Sequence, residues 1–145
     1  MVQFLLDKGL DIQTTDACGE TCMHYALCSV PFNRKMILFL KEKGLDFHAK
    51  NKSGNTCLHL ASLVNTPAAV QFFLDQGVDP FAGNNLGKTC LHFASNAGGF
   101  EIVKVLLDKG LDPFAEDTAG ETCLDRALAR LNMPWEIEFT YTEGR

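Results

Sequence analysis

The stretch Gly87-Lys88-Thr89-Cys90-Leu91-His92-Phe93-Ala94-Ser95-Asn96-Ala97-Gly98-Gly99-Phe100-Glu101-Ile102-Val103-Lys104-Val105-Leu106-Leu107-Asp108-Lys109-Gly110 decides the fold. Its opening returns as Thr21-Cys22-Met23-His24-Tyr25-Ala26, as Thr56-Cys57-Leu58-His59-Leu60-Ala61 and as Thr122-Cys123-Leu124-Asp125-Arg126-Ala127. The threonines stand 35, 33 and 33 residues apart, and so do Gly9, Gly44, Gly77 and Gly110 at its close. Two independent landmarks on one period mark a solenoid. Its units are too thin to bury an apolar face alone, so they must stack.

Each unit reads as two helices and a turn. Thr89 can cap a helix with its hydroxyl, and Leu91, Ala94 and Ser95 then share one face. Gly98-Gly99 breaks that helix and reverses the chain. Phe100 to Lys109 forms a second helix with a wide apolar stripe of Ile102, Val103, Val105, Leu106 and Leu107. Gly110 supplies a left-handed cap, and Asp112-Pro113 starts an extended link to the next unit. An all-α chain of antiparallel helix pairs with projecting loops is expected.

These residues resemble the ankyrin repeat. Its signature sets an acidic or amide residue and a Gly before Thr-Pro-Leu-His-x-Ala and closes on Leu-Leu-x-x-Gly-Ala-Asp. The closing phrase stands as Leu5-Leu6-Asp7-Lys8-Gly9-Leu10-Asp11 and as Leu106-Leu107-Asp108-Lys109-Gly110-Leu111-Asp112. The turn element stands as Asp16-x-x-Gly19, Asn51-x-x-Gly54, Asn84-x-x-Gly87 and Asp117-x-x-Gly120. The resemblance implies an ankyrin-repeat solenoid of stacked antiparallel helix pairs with projecting β-turn fingers. Its parts are a half repeat over 1–13, repeats over about 14–48, 49–81 and 82–114, and a capping half repeat over 115–132. The Pro that usually follows Thr is Cys22, Cys57, Cys90 and Cys123 here, which gives up some preorganisation of the first turn. In the family the histidine joins backbone groups of adjacent units, a structural role implied for His24, His59 and His92 beside Thr21, Thr56, Thr89, Thr122 and the closing glycines.

Within this frame the chain begins on a second helix, because Met1 to Leu6 aligns with Ile102 to Leu107. Val2 and Phe4 make a poor polar cap, so further repeats upstream, or end-to-end self-association, are expected. A two-residue insertion falls at Ser29-Val30-Pro31-Phe32-Asn33. The second unit's second helix is expected over Lys35 to Lys43, and the last helix over Thr122 to about Leu131. Asp125, Arg126 and Arg130 make that last helix polar, as suits a cap. After Pro134 the residues Trp135, Ile137, Phe139 and Tyr141 alternate with Glu136, Glu138, Thr140 and Thr142. That period of two calls for an extended tail over 133–145, which covers the last helix, opens a following domain or pairs with a partner's strand.

Composition narrows the function. A net charge of −5 argues against a nucleic-acid footprint. No apolar run approaches the ~20 residues of a membrane span, and the start lacks a signal-peptide order. A reducing compartment, cytoplasm or nucleus, is expected. The recurring cysteines should lie about 8–10 Å from one another, beyond the ~7 Å limit for a disulfide. A helix start favours a thiolate, but one catalytic nucleophile repeated four times has no chemical sense. Each histidine lies two residues beyond its cysteine, nearly opposite on a helix, so no Cys–His dyad forms. Cys18, Cys22, His24 and Cys28 do not follow a zinc spacing. Gly98-Gly99 follows no strand and is no dinucleotide fingerprint. No enzyme activity, cofactor or metal is expected.

Function must then lie on the surface, where loops on a rigid scaffold recognise partners. By repeat position the fingers present Thr15, Ala17, Cys18 and Glu20, then Lys50, Lys52, Ser53 and Asn55. The next two present Gly83, Asn85, Leu86 and Lys88, then Glu116, Thr118, Ala119 and Glu121. Cys28, Leu63 and Asn96 should face the groove from the first helices. Lysines in the middle fingers would steer an acidic peptide inward, and Leu63 and Leu86 are apolar where folding needs nothing apolar. Phe47, Phe81 and Phe114 recur at the links and are expected to pack between units; Phe81 and Phe114 replace an Asn common in the family. The expected function is a protein-binding module, an adaptor or scaffold. The alternatives are a targeting or regulatory domain of a larger enzyme and a self-assembling unit.

Overall fold

The computed structural model describes residues 7–9, 11–27 and 32–131. Among them are seven helices: α1 (Cys22–Leu27), α2 (Arg34–Glu42), α3 (Cys57–Leu63), α4 (Pro67–Asp75), α5 (Cys90–Ala97), α6 (Phe100–Asp108) and α7 (Cys123–Leu131). No strand occurs among the described residues. The half-unit helix over 1–6, the inserted Ser29-Val30-Pro31 and the tail over 133–145 fall outside them.

The first helices stack in one row, α1 on α3, α3 on α5 and α5 on α7, while α4 packs on α6 behind them. The close approach of α3, α5 and their pairs follows from Ala61 and Ala94, small residues with no exposed surface. Around them Met23, Leu27, Leu58, Leu91, Ile102 and Leu106 are sealed into one continuous core. Phe32, Phe47, Phe72 and Phe73 add a ring cluster with centroids 5.3–6.0 Å apart. Arg34 covers the Phe72 ring and Lys41 covers Phe47, so the cluster is closed by long cationic stems.

Helix ends follow their residues. The Gly44, Gly77 and Gly110 φ angles are +100°, +83° and +94°. Beyond each, the N–H of Leu45, Val78 or Leu111 donates back to Leu40, Phe73 or Leu106. These apolar residues are buried, which completes a Schellman stop with its hydrophobic contact. The α6 stripe is narrower than the sequence suggests: Ile102 and Leu106 are buried, Val103 and Val105 half-buried, and Leu107 exposed. A single helix touching neighbours on one side can bury only part of so wide a stripe.

The phenylalanine expectation requires correction. Phe47 is buried, but Phe81 and Phe114 are 58% and 44% exposed. Cys57 Sγ meets the carbonyl of Phe47, whereas Cys90 Sγ meets Pro80 and Cys123 Sγ meets Pro113. Phe47 is therefore the counterpart of Pro80 and Pro113, and Phe81 and Phe114 sit one place further on. In a turn, side chains one place apart leave in different directions. Their N–H groups close turns on Asp79 and Asp112 while their rings face solvent.

Candidate functional site

Each finger is folded by its first residue. Asp16 Oδ1 accepts from the N–H of Cys18 and Glu20, and Asn51 Oδ1 from Ser53 and Asn55. Asn84 Oδ1 accepts from Leu86 and Lys88, and Asp117 Oδ1 from Ala119 and Glu121. Only a short side chain with an acceptor oxygen can reach both donors, which is why Asp or Asn recurs there.

The fingers are then tied to one another. Lys52 N–H donates to Cys18 O, Asn85 N–H to Ser53 O and Thr118 N–H to Leu86 O, each at 3.0 Å. Side chains follow the same route. Asn51 Nδ2 donates to Glu20 at 2.6 Å, Asn84 Nδ2 to Asn55 at 2.9 Å, and Asp117 lies 4.0 Å from Lys88 Nζ. Gly54 admits this approach: a Cβ there would stand 2.8 Å from Asn85 N, and its φ of +78° favours glycine anyway. Gly120 has a φ of +77° but nothing within 4 Å of a Cβ.

The histidines join unit to unit from below. His59 Nδ1 accepts the Thr56 N–H at 3.1 Å, so the ring proton is on Nε2, which donates to Lys88 O at 3.1 Å. His92 repeats this with Thr89 and Glu121 O at 3.1 and 3.2 Å. In the first unit Thr21 N–H donates to His24 Nδ1 at 2.9 Å. Burial, chiefly, holds His59 below the ordinary imidazole pKa, with the Lys50 charge adding to it. In the last unit Asp125 takes the Thr122 N–H at 2.8 Å. A carboxylate can cap a helix as imidazole does, but it has no proton to pass to another finger.

The four repeated thiols serve as hydrogen-bond donors. Cys22, Cys57, Cys90 and Cys123 each donate to the carbonyl ten residues earlier, at 3.7, 3.1, 3.2 and 3.1 Å. The helix start does not lower their pKa as the sequence suggested. Burial wins and pushes Cys57 and Cys90 up to about 12. Cys18 is exposed on its finger, and Cys28 lies outside the described residues. Among the described residues no cluster of His, Cys, Asp or Glu could hold a metal, and no helix is long and apolar enough to cross a membrane.

The predicted recognition residues divide into two sets. Lys50, Lys52, Ser53, Asn85, Leu86, Glu116, Thr118, Leu63 and Asn96 are exposed. Asn55, Lys88 and Glu121 are not: each is half-buried because it ties neighbouring elements. Asn55 holds Asn84, Lys88 leans on Asp117, and Glu121 pairs with Arg126. The cationic centre of the finger row is therefore Lys50 and Lys52.

Sequence reading missed the position after the histidine, which is Tyr25, Leu60, Phe93 and Arg126 in successive units. Tyr25 is 60% exposed and its hydroxyl donates to Asp16; Leu60 and Phe93 are half-buried. Phe93 meets the His59 ring edge-on at 5.4 Å. Leu60 joins Tyr25 in a hollow against the first finger, and Phe93 joins Leu63, Asn96 and Arg126 in another. The signal was present: three of four copies are apolar at the variable place in the signature.

A family model described as ankyrin repeats in three copies matches residues 30–117, and one described as ankyrin repeats in many copies matches residues 1–29. No curated protein matches the chain. Ankyrin repeats are generally protein–protein interaction modules, and proteins built of them are typically non-catalytic. With the period, the Asx-folded fingers and the Thr–His caps in place, these matches settle its kinship: the chain belongs to the ankyrin-repeat family.

Proposed function

We propose that the chain is a non-catalytic protein-binding module that holds a peptide segment of a partner between its fingers and first helices. The observation that supports this is the apolar row of Tyr25, Leu60 and Phe93 with Leu63 beside it. Tyr25 is 60% and Leu63 42% exposed, and Leu60 and Phe93 are half-buried. Such a row gains free energy only when something covers it. Leu86, 54% exposed on a finger, carries the apolar surface outward. Lys50 and Lys52 border it with positive charge, which favours a segment mixing apolar and acidic residues.

Covering the open half of a leucine contributes about 1 kcal/mol, and a carboxylate in its place adds a desolvation cost on top. Leu86→Asp and Leu63→Asp should therefore each weaken binding by more than about tenfold. The test is to select peptides from a displayed library against the intact chain and measure their affinity for both variants and for Tyr25→Ser. Loss of affinity with an unchanged thermal midpoint is expected. Unaltered affinity in all three variants places recognition on another face and refutes the reading.

A further inference from the structure

Side chains of α3, α5 and α7 join Lys88 of the third finger around a hollow of about 90 Å³; they are Leu63, His92, Phe93, Asn96 and Arg126. Two cations converge here for a visible reason. Lys88 Nζ and Arg126 Nη2 lie 4.0 and 3.8 Å from Asp117 Oδ2, and Arg126 also pairs with Glu121. Like charges stand this close where a carboxylate offsets their repulsion. The Asp117 side chain is 1% exposed, so it plays that part from within and cannot itself meet a ligand.

The four charges sum to zero, but they are separated in space. Both cations line the hollow, and neither carboxylate does. What the hollow presents is therefore N–H donors, five on a guanidinium and three on an ammonium. At 3.8 and 4.0 Å the Asp117 pairs are too long to be hydrogen bonds, and its Oδ2 has none among the described residues. The donors are not consumed from below. His92 adds wall and no charge, since its ring accepts from the Thr89 N–H and donates to Glu121 O. At the other end of the row the hollow beside Tyr25 and Leu60 is lined by Asp16 and Glu20 with no lysine or arginine. A carboxylate there would meet its own sign.

We infer that the hollow between Lys88 and Arg126 is the subsite for an Asp or Glu side chain of the bound segment, with an apolar neighbour of that residue lying on Leu63 and Phe93. The inference rests on the groove reading above and gives it a direction: the acidic end of the segment lies at the last unit. A carboxylate is the occupant because its two oxygens match the parallel N–H groups of a guanidinium.

The probe is a library of random peptides with acetylated and amidated ends, so that side chains supply the only carboxylates, selected against the intact chain. The best binder is remade with Gln for Glu or Asn for Asp. Both forms are titrated against the chain as it stands and against Arg126→Gln, Lys88→Gln, Lys50→Gln and Leu63→Asp, with far-UV circular dichroism as the check on folding. Arg126→Gln and Lys88→Gln address the hollow from opposite sides, so the test does not depend on one variant.

Selected peptides should carry an acid at a fixed distance from an apolar residue. Neutralising it should weaken binding to the native chain about tenfold or more, and to Arg126→Gln or Lys88→Gln about twofold at most. A selected set without an acidic preference overturns the subsite, as does a loss that persists in both hollow variants or vanishes only in Lys50→Gln. If Leu63→Asp still weakens binding in those cases, the groove reading stands and the subsite alone falls. No selected peptide, or indifference to Leu63→Asp, removes both.

Discussion

Replacing His59 with alanine tests what holds one unit to the next. The ring accepts the Thr56 N–H and donates to Lys88 O, both at 3.1 Å, and touches Phe93 edge-on. Without it a buried N–H and a partly buried carbonyl are orphaned, at about 1–3 kcal/mol each. The lost ring contact adds about 0.5–1.5 kcal/mol. Together these come to about 2.5–7.5 kcal/mol, a large part of the 5–15 kcal/mol typical of a whole domain. Asp125→Ala removes a cap of the same kind, Asp125 to Thr122, but no joint, and should cost only about 1–2 kcal/mol. The gap between the two variants measures the joint. Urea unfolding followed by circular dichroism reads both. Because stability in a repeat array is a sum of units and junctions, His59→Ala should also split one transition into two. Equal costs for the two substitutions would refute the reasoning.

Acid should weaken the fold before any carboxylate titrates. Burial holds His24 and His59 below the ordinary imidazole value of 6.5, so as pH falls past that value the unfolded chain takes up protons first and stability drops. The urea midpoint should decline from about pH 7.5 to pH 5.5, less so in His59→Ala; a flat profile would contradict this. Cys57 and Cys90, pushed up to about 12, should resist maleimide at neutral pH until urea is added. Cys18 should label at once, and mass spectrometry of labelled peptides decides. Gly54→Ala and Gly120→Ala share the left-handed penalty of about 1–2 kcal/mol, but only the first drives a Cβ into the next finger. Gly54→Ala should therefore show the lower thermal midpoint, and equal midpoints would mean that the fingers do not approach as described.

Much of this architecture is legible residue by residue. The period, the Thr caps, the Gly stops and the Asx residues of the fingers are local signals with local causes, and they appear where the spacing puts them. What escaped was contextual. Phe47 and Phe81 look alike in composition, but they differ by one place in the link, and only the Cys–carbonyl contacts fix which of them faces inward. Lys88 and Asn55 read as free finger residues because a sequence does not show that the next finger stands within reach. For the thiols, the helix start that favours a thiolate is visible in the sequence and the burial that outweighs it is not. Tyr25, Leu60 and Phe93 were overlooked for a different reason. The signature marks their place as variable, and variability hides a shared property.

The row through Tyr25, Leu60, Phe93 and Arg126 also sets a metre. Neighbouring first helices lie about 8–10 Å apart, so the groove offers one side chain per step of that length. A pleated ligand repeats the same face about every 7 Å and falls out of phase within two units. A polyproline II segment returns to the same face every three residues, about 9 Å, and stays in step along the whole row.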